Sequence, residues 1–458
     1  MNRRAGAPCP IRPRLAGAVY RKYTVEFRCF VLTNALAWTP YATQESTHTR
    51  PSFITYIALS PLPLSLRWTM KALLLDAERR TANVKSVPDP RPAPNELLIR
   101  VEAVALNPVD SLYVFNPLAL TGRVIGSDFA GVVDALGDAV PPTGKLKLGD
   151  RVAGFLQGAC SINERPGAFS DYLVCPWDLV WKVGDGMRLQ EAAAISLCGL
   201  TAAQALFFRL GLEAPFQWLE TLAITAGPEK RRQEPPSTLS FFIYSASTSV
   251  GMYAAQLVRR SAESSGRTIK LFGTAGQKHF NMLKAEPYYY TDVVDYHDDD
   301  WPAKVLSLTN GTGVDYAYDC ISEGSTVSDT AKTLAPSGKM AIVRSREGGA
   351  WTAQNLAVEP SYGAVWEGLG EDVQYQGMIL PASQEARGFA VAFDKWLSEG
   401  GKLEPNPLRE MPGGLESIVD DGLRLLGSGT MRDRDTKSEK DWMRPLSAEK
   451  MVYRIAVE

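Results

Sequence analysis

The stretch Ser240-Phe-Phe-Ile-Tyr-Ser-Ala-Ser-Thr-Ser-Val-Gly-Met-Tyr-Ala-Ala-Gln-Leu-Val258 decides the fold. Phe241, Phe242, Ile243 and Tyr244 form a short apolar run of the kind that makes a strand buried on both faces. After the small residues Ser245 to Ser249, the residues Val250, Ala254, Leu257 and Val258 recur at helical spacing. Strand, tight turn and helix are the opening of a dinucleotide-binding unit. A helix N-terminus carries unpaired N–H groups and partial positive charge, so a turn of small side chains lets a pyrophosphate come close, and hydroxyls there add donors. The usual glycine fingerprint is reduced to Ser245, Ser247 and Ser249 with Gly251 as its one glycine. Taken alone, the pattern also fits an ordinary βα unit whose serines cap a helix.

The flanking chain separates the two readings. Ile269 to Ala275 is a second strand, followed by a helix through Phe280, Leu283 and Lys284. Val293 to Tyr296, Val314 to Cys320 and Gly338 to Val343 are three more strands. Strands alternating with helical segments predict an α/β fold with a doubly wound parallel sheet. Upstream, Met70 to Asp150 is strand-dense, with Leu97 to Leu106 partly alternating and Gly126 and Gly131 set between apolar runs. Gly167 to Val174 extends this into a compact, partly barrel-like β domain. Alanine and leucine then predict helix from Leu189 to about Leu206, and the proline-rich, charged break Ala226 to Thr238 reads as a surface loop. Near the C-terminus, Ala386 to Glu399 and Leu415 to Leu426 read as helical and Met451 to Val457 as a strand. The charge run Thr430 to Arg444 reads as a solvated loop, or as a retained intron in the gene model.

Composition narrows the function classes. At 458 residues and 45% hydrophobic content, the chain can build more than one lobe, and a net charge of -2 offers no basic field for nucleic acid. No apolar run is long enough to span a membrane. The cysteines Cys9, Cys29, Cys160, Cys175, Cys198 and Cys320 and the histidines His48, His279 and His297 show neither a disulfide framework nor zinc-ribbon spacing, so reduced, buried thiols and a cytoplasmic location are expected. Residues 1–69 are arginine-rich and acid-poor. That composition fits either a mitochondrial transit peptide or an over-extended start ahead of Met70; the second is favoured, and the segment is excluded from the fold.

With these elements placed, the chain from Met70 onward resembles the medium-chain dehydrogenase/reductase superfamily. The marks are Asn107-Pro-Val-Asp110, Gly126-Ser-Asp-Phe-Ala-Gly-Val-Val133, Gly149-Asp-Arg-Val152, Gly167-Ala-Phe-Ser-Asp-Tyr172, Gly199-Leu-Thr-Ala-Ala203, the Ser245 to Gly251 turn and Ser447-Ala-Glu-Lys-Met-Val-Tyr-Arg454. Within it the chain looks like the zinc-free, quinone-oxidoreductase-like branch, and in particular the fungal ToxD-type and trans-acting enoyl reductases of polyketide clusters. The resemblance implies a GroES-like β-rich domain over residues 70–205 and 350–458, discontinuous in sequence, around a Rossmann domain over residues 206–349. The superfamily's alcohol dehydrogenases carry a catalytic cysteine where this chain has Leu106 or its neighbours, and a histidine before an acid where it has Ser127-Asp128. The four-cysteine structural lobe is also missing, so no metal is expected.

The implied cofactor is NADPH. The second strand ends in Thr274-Ala-Gly-Gln-Lys-His279, with no acid to take a ribose 2′-hydroxyl, while Lys278 suits a 2′-phosphate. By resemblance His279 and Tyr296 line the same adenosine end with Gly276 and Gln277; surface lysine, turn histidine and core tyrosine are the alternatives. A serine is common in the family where Gly276 stands. The resemblance carries the remaining cofactor contacts onto Val109, Asp110, Ser111, Leu112, Ser247, Thr248, Ser249, Val250, Val343, Arg344, Leu446 and Ser447.

For chemistry, it implies hydride delivery to the β-carbon of an α,β-unsaturated carbonyl, with a donor for the enolate oxygen and a proton for the α-carbon. Asn107 and Thr201 fall near the nicotinamide, though both alternatively cap turns. The acyl channel falls on Gly199, Leu200, Thr201, Ala202, Ala203 and Gln204 and on Ser361, Tyr362, Gly363, Ala364, Val365 and Trp366. Relatives carry a lysine at the position of Leu112. Tyr113, next in line, is the candidate hydroxyl donor or else a buried aromatic. The expected partner is an acyl carrier domain of a polyketide synthase, with no nucleic acid and no membrane, in a monomer or a homodimer. A quinone or free-enone reductase is the rival reading, and a non-catalytic cofactor-binding protein a third.

Overall fold

The computed structural model describes residues 69–142, 146–218, 238–375, 377–434 and 438–455. The expectations for residues 1–68 and most of the 226–238 loop lie outside these described residues. Strands β1 (Thr69–Asp76) and β2 (Thr81–Pro88) form an antiparallel hairpin. There follow β3 (Glu96–Ala105), β4 (Asp128–Leu136), β5 (Arg151–Phe155), β6 (Tyr172–Pro176) and β7 (Val180–Lys182). In β3 every second residue from Leu97 to Ala103 is apolar and sealed from solvent, so one face of the strand forms the floor of the core.

The parallel sheet is built from β8 (Thr238–Tyr244), β9 (Thr268–Ala275), β10 (Asp292–Asp295), β11 (Val314–Asp319), β12 (Leu334–Ile342) and β13 (Ser361–Tyr362). Its spatial order is β10-β9-β8-β11-β12-β13, with every pairing parallel. Phe241, Phe242 and Ile243 are fully buried at its centre, as expected of a strand covered on both faces. The strand order reverses between β8 and β11, and a crevice opens at such a switch point. The short edge strand β13 extends this sheet past residue 349, so the boundary placed there falls short of the structural edge.

After β14 (Val373–Tyr375) and β15 (Met378–Leu380), the predicted helix appears at Gln384–Ser398, capped by the Ser383 hydroxyl. The 415–426 stretch breaks into short turns of 3-10, π and α geometry. Finally β16 (Leu408–Met411) and β17 (Lys450–Arg454) return to the first sheet, which runs β16-β17-β3-β4-β5-β7 with β6 also on β3. The β-rich sheet is therefore discontinuous in sequence. Among the described residues, no helix is long and apolar enough to cross a membrane, and Cys160, Cys175, Cys198 and Cys320 are free and buried.

Candidate active site

The turn after β8 is shaped for close approach. Ser245 takes a left-handed φ of 63°, its N–H donating to Thr274 Oγ1, and Thr248 caps the helix Ser249–Ser265 by accepting from the Gly251 N–H at 3.1 Å. A Cβ on Gly251 would stand 2.6 Å from the Ser245 carbonyl oxygen, so this position admits only hydrogen. This cradle of small residues at the start of a long helix fits the pyrophosphate of a dinucleotide.

Beside it, at the ends of β8, β11 and β12, lies a cavity of about 190 Å³. Its lining includes Asn107, Val109, Leu112, Leu197, Cys198, Thr201, Val250, Ile321 and Val343. It also includes Tyr362 to Trp366, Tyr375 and Leu426, which are largely aromatic and apolar. Ile321 is presented by a turn that Asp319 ties down, accepting from the N–H groups of Ile321 and Ser322 and from Thr326 Oγ1. Burial raises the Asp319 carboxyl to about 6.

Two of the lining residues, Asn107 and Cys198, belong to a buried polar network. The Lys450 ammonium uses its three donors on Asn107 Oδ1 (2.8 Å), Asp128 Oδ2 (2.8 Å) and Cys198 Sγ (3.2 Å). Asp128 Oδ1 accepts from the Leu197 N–H, fixing the start of the helix Ser196–Ala203. Asn107 Nδ2 donates to Ser127 Oγ and Asp128 Oδ2, Ser127 donates to Asp110 Oδ1, and the Asn107 N–H closes the ring on Asp110 Oδ2. Burial alone would lower the Lys450 ammonium, but Asp128 and Cys198 outweigh it and hold it above the usual lysine range. Burial raises the Asp110 carboxyl to about 7 against the bonds from Asn107 and Ser127. It also raises the Cys198 thiol, with Lys450 opposing.

The residues expected at an adenosine end do not belong to the lining of this cavity. Lys278 and His279 sit on a single 3-10 turn, Gln277–His279, directly after β9. His279 Nε2 and Ser447 Oγ share a hydrogen bond of 2.8 Å, which brings two predicted cofactor residues together across the chain. Burial, then the neighbouring Lys278 charge, lowers the His279 pKa. Tyr296 is 44% exposed, stacks on His297 and lies 3.9 Å from the Cβ position of Gly276, which makes it a surface ring beside the turn and not a core tyrosine.

Several expected residues take other places. Tyr113 is buried, donates to the Gln374 carbonyl and accepts from Gln157 Nε2, and does not line the cavity. The Thr201 hydroxyl donates back to the Leu197 carbonyl at 2.7 Å, although the residue itself lines the cavity. Gly199, Leu200, Ala202, Ala203 and Gln204 are buried behind the wall, and the residues that reach the cavity from this helix are Leu197, Cys198 and Thr201. Asp110 and Ser111 likewise turn inward, the latter donating to the Pro108 carbonyl. The charge run predicted as a solvated loop contributes Thr430, Met431 and Arg434 to the cavity wall. Glu323 anchors it, accepting from Arg344 Nη1 at 2.6 Å and from the Met431 N–H, while Arg344 also donates to the Gly429 carbonyl. Cys198, Lys450 and Arg434 were not singled out from the sequence.

The donor set does not suit zinc. Where an alcohol dehydrogenase would gather soft and imidazole ligands, this chain presents an amide, one carboxylate and one thiol, and a lysine ammonium stands where they converge. No group of three or more His, Cys, Asp or Glu suited to a metal occurs among the described residues.

Two family models match the chain, the alcohol dehydrogenase GroES-like domain over residues 93–185 and the zinc-binding dehydrogenase domain over residues 250–357. A trans-enoyl reductase of Alternaria alternata, ACTTS2, is 30% identical over 365 residues, covering 79% of this chain and 96% of its own. The trans-enoyl reductase ffsC of Aspergillus flavipes is 30% identical over 375 residues, covering 80% and 94%. Among solved structures, the CurK enoyl reductase superposes with a TM-score of 0.60 at 17% identity over 84% of this chain and 99% of that one. A mycobacterial protein complexed with NADPH gives 0.55 at 22% identity, over 84% and 99%.

Proposed function

This chain belongs to the trans-enoyl reductase family of medium-chain dehydrogenase/reductases, and from that premise we propose that it reduces an α,β-unsaturated acyl thioester carried by the acyl carrier domain of a fungal polyketide synthase. The observation that carries the reading is the cavity itself. Its lining joins Val250, at the start of the helix after the β8 turn, and Ile321 and Val343, just past the ends of β11 and β12, with aromatic and aliphatic residues suited to an acyl chain.

The cofactor in this reading is NADPH, whose contribution is a hydride. The Thr248 to Gly251 cradle would hold its pyrophosphate, and Lys278, His279 and Tyr296 its adenosine end. The preference for a 2′-phosphate rests on Lys278 and on the absence of an acid at the end of β9. No metal takes part in this reading, which the donor set around Lys450 supports. The chain's own work is to align the enoyl group along the wall, exclude water from the apolar cavity and supply a proton.

The test is NADPH oxidation by the purified chain with an enoyl thioester of pantetheine set against a simple quinone. Faster turnover of the thioester is expected. Preference for the quinone would move the function to a free-enone or quinone reductase and leave the cofactor reading intact.

A further inference from the structure

Reduction of an enoyl thioester leaves an enolate whose α-carbon must take a proton, and the group that gives it must belong to the cavity lining, carry an exchangeable proton and hold that proton no more than weakly. Leu112 has no proton to give, and Tyr113 faces away. Thr201 is committed to the Leu197 carbonyl, and Glu323 is paired with Arg344. The Tyr362 hydroxyl is buried without a partner and sealed from the open space of the cavity. Tyr375 also lines the cavity and is the rival donor that Tyr375→Phe tests. Cys198, another lining residue, holds its proton only by a weak thiol bond to Asn107 Oδ1 at 3.3 Å, and a buried ammonium stands 3.2 Å from its sulfur.

Resting on the enoyl-reductase reading above, we infer that Cys198 is the acid that protonates the α-carbon, with Lys450 as the positioning residue that stabilises the resulting thiolate. Bound NADPH would supply the hydride for the β-carbon C–H bond, which leaves an electron pair on the enolate. That pair takes the Cys198 proton, forming the α-carbon C–H bond, and the S–H electrons stay on sulfur. The thiolate then faces the Lys450 ammonium as a charge-assisted pair, with Asp128 and Asn107 fixing the ammonium from the other side. When product leaves, the thiolate recovers a proton from entering water, so the cycle consumes one hydride and one solvent proton.

The arrangement explains why a fully buried lysine is kept beside a thiol. Burial on its own makes a thiolate costly, and an adjacent cation offsets that cost at the moment the proton departs. Cys320 also lines the cavity, but no cation lies within hydrogen-bonding distance of its sulfur among the described residues.

The test uses the full chain and an α-methyl enoyl thioester of pantetheine, whose reduced product is chiral at the α-carbon. The wild-type chain is expected to give one configuration. Cys198→Ala should slow turnover about 100-fold, within the usual range for a lost general acid, and give a nearly racemic product; Cys198→Ser should restore part of the facial selectivity. A second readout needs no cofactor: alkylation of Cys198 by iodoacetamide, located by peptide mass, should slow about tenfold in Lys450→Gln. Retained selectivity and rate in Cys198→Ala would overturn the inference, as would loss of selectivity in Tyr375→Phe instead, or an unchanged alkylation rate in Lys450→Gln. A wild-type chain that reduces no enoyl thioester overturns the proposed function as well, so the two failures are told apart.

Discussion

Replacing Lys450 by methionine keeps the length of the side chain and removes its charge. In the native fold the ammonium side chain is 2% exposed and its partner Asp128 is 0% exposed, so neither charge is hydrated. Once the cation is gone, Asp128 retains the Leu197 N–H on one oxygen and Asn107 Nδ2 on the other, but no positive charge within hydrogen-bonding distance. Breaking a buried pair by removing one partner typically costs about 3–5 kcal/mol, because the other charge stays uncompensated. The two surviving hydrogen bonds place Lys450→Met at the lower end, about 3 kcal/mol. Urea unfolding followed by tryptophan fluorescence measures it, with the slope checked for constancy. Adding Asp128→Asn to Lys450→Met removes the stranded charge, so the double variant should recover most of the loss and give a coupling of about 2 kcal/mol in the cycle. A single variant within about 1 kcal/mol of wild type, or a double variant less stable than the single, would refute the claim that this pair holds the network together.

Two further outcomes follow from charges described above. Asp110 has a folded pKa near 7, above its ordinary value of 3.8, so its contribution to stability is present below about pH 4 and lost as pH rises towards 7. The penalty at pH 8 is on the order of 4 kcal/mol; Asp110→Asn should flatten the stability profile between those limits in denaturation titrations, and an unchanged slope would show that Asp110 does not titrate there. Lys278→Ala should weaken NADPH binding about tenfold while leaving NADH within about twofold, measured by nucleotide fluorescence, since about 1.4 kcal/mol separates a tenfold difference; an equal loss for both would remove Lys278 from the 2′-phosphate.

The elements that were legible are those specified by neighbouring residues. Phe241 to Tyr244 and the small residues after them announce strand and turn locally, and the Ala386 to Glu399 pattern gives a helix to within two residues. The polar network was not legible, because Lys450 and Asp128 stand 322 positions apart and Lys450 and Cys198 stand 252 apart. Lys450 could be seen only as one letter of the Ser447 to Arg454 motif. The charge run misled for a related reason: its composition favours water, but Glu323 and Arg344, roughly a hundred positions earlier, hold Gly429 and Met431 against the cavity. Tyr113 was named because it stands next to Leu112, where relatives carry a lysine, whereas the Gln157 and Gln374 bonds turn it inward.

The pairing of β17 with β3 also sets a timetable. During synthesis, Asp128 leaves the ribosome with its buried position defined but its counter-charge not yet translated. At about 5–20 residues per second, the 322 positions that separate it from Lys450 take roughly half a minute. For that interval the Ala103–Ala105 end of β3 lacks its β17 partner, although β4 and β6 already pair the rest of the strand. The parallel sheet, whose strands all lie within Thr238–Tyr362, needs nothing from β17 and can assemble first. Until β17 is made, that end of β3 is an unpaired edge, the kind of surface on which strands of other chains can add.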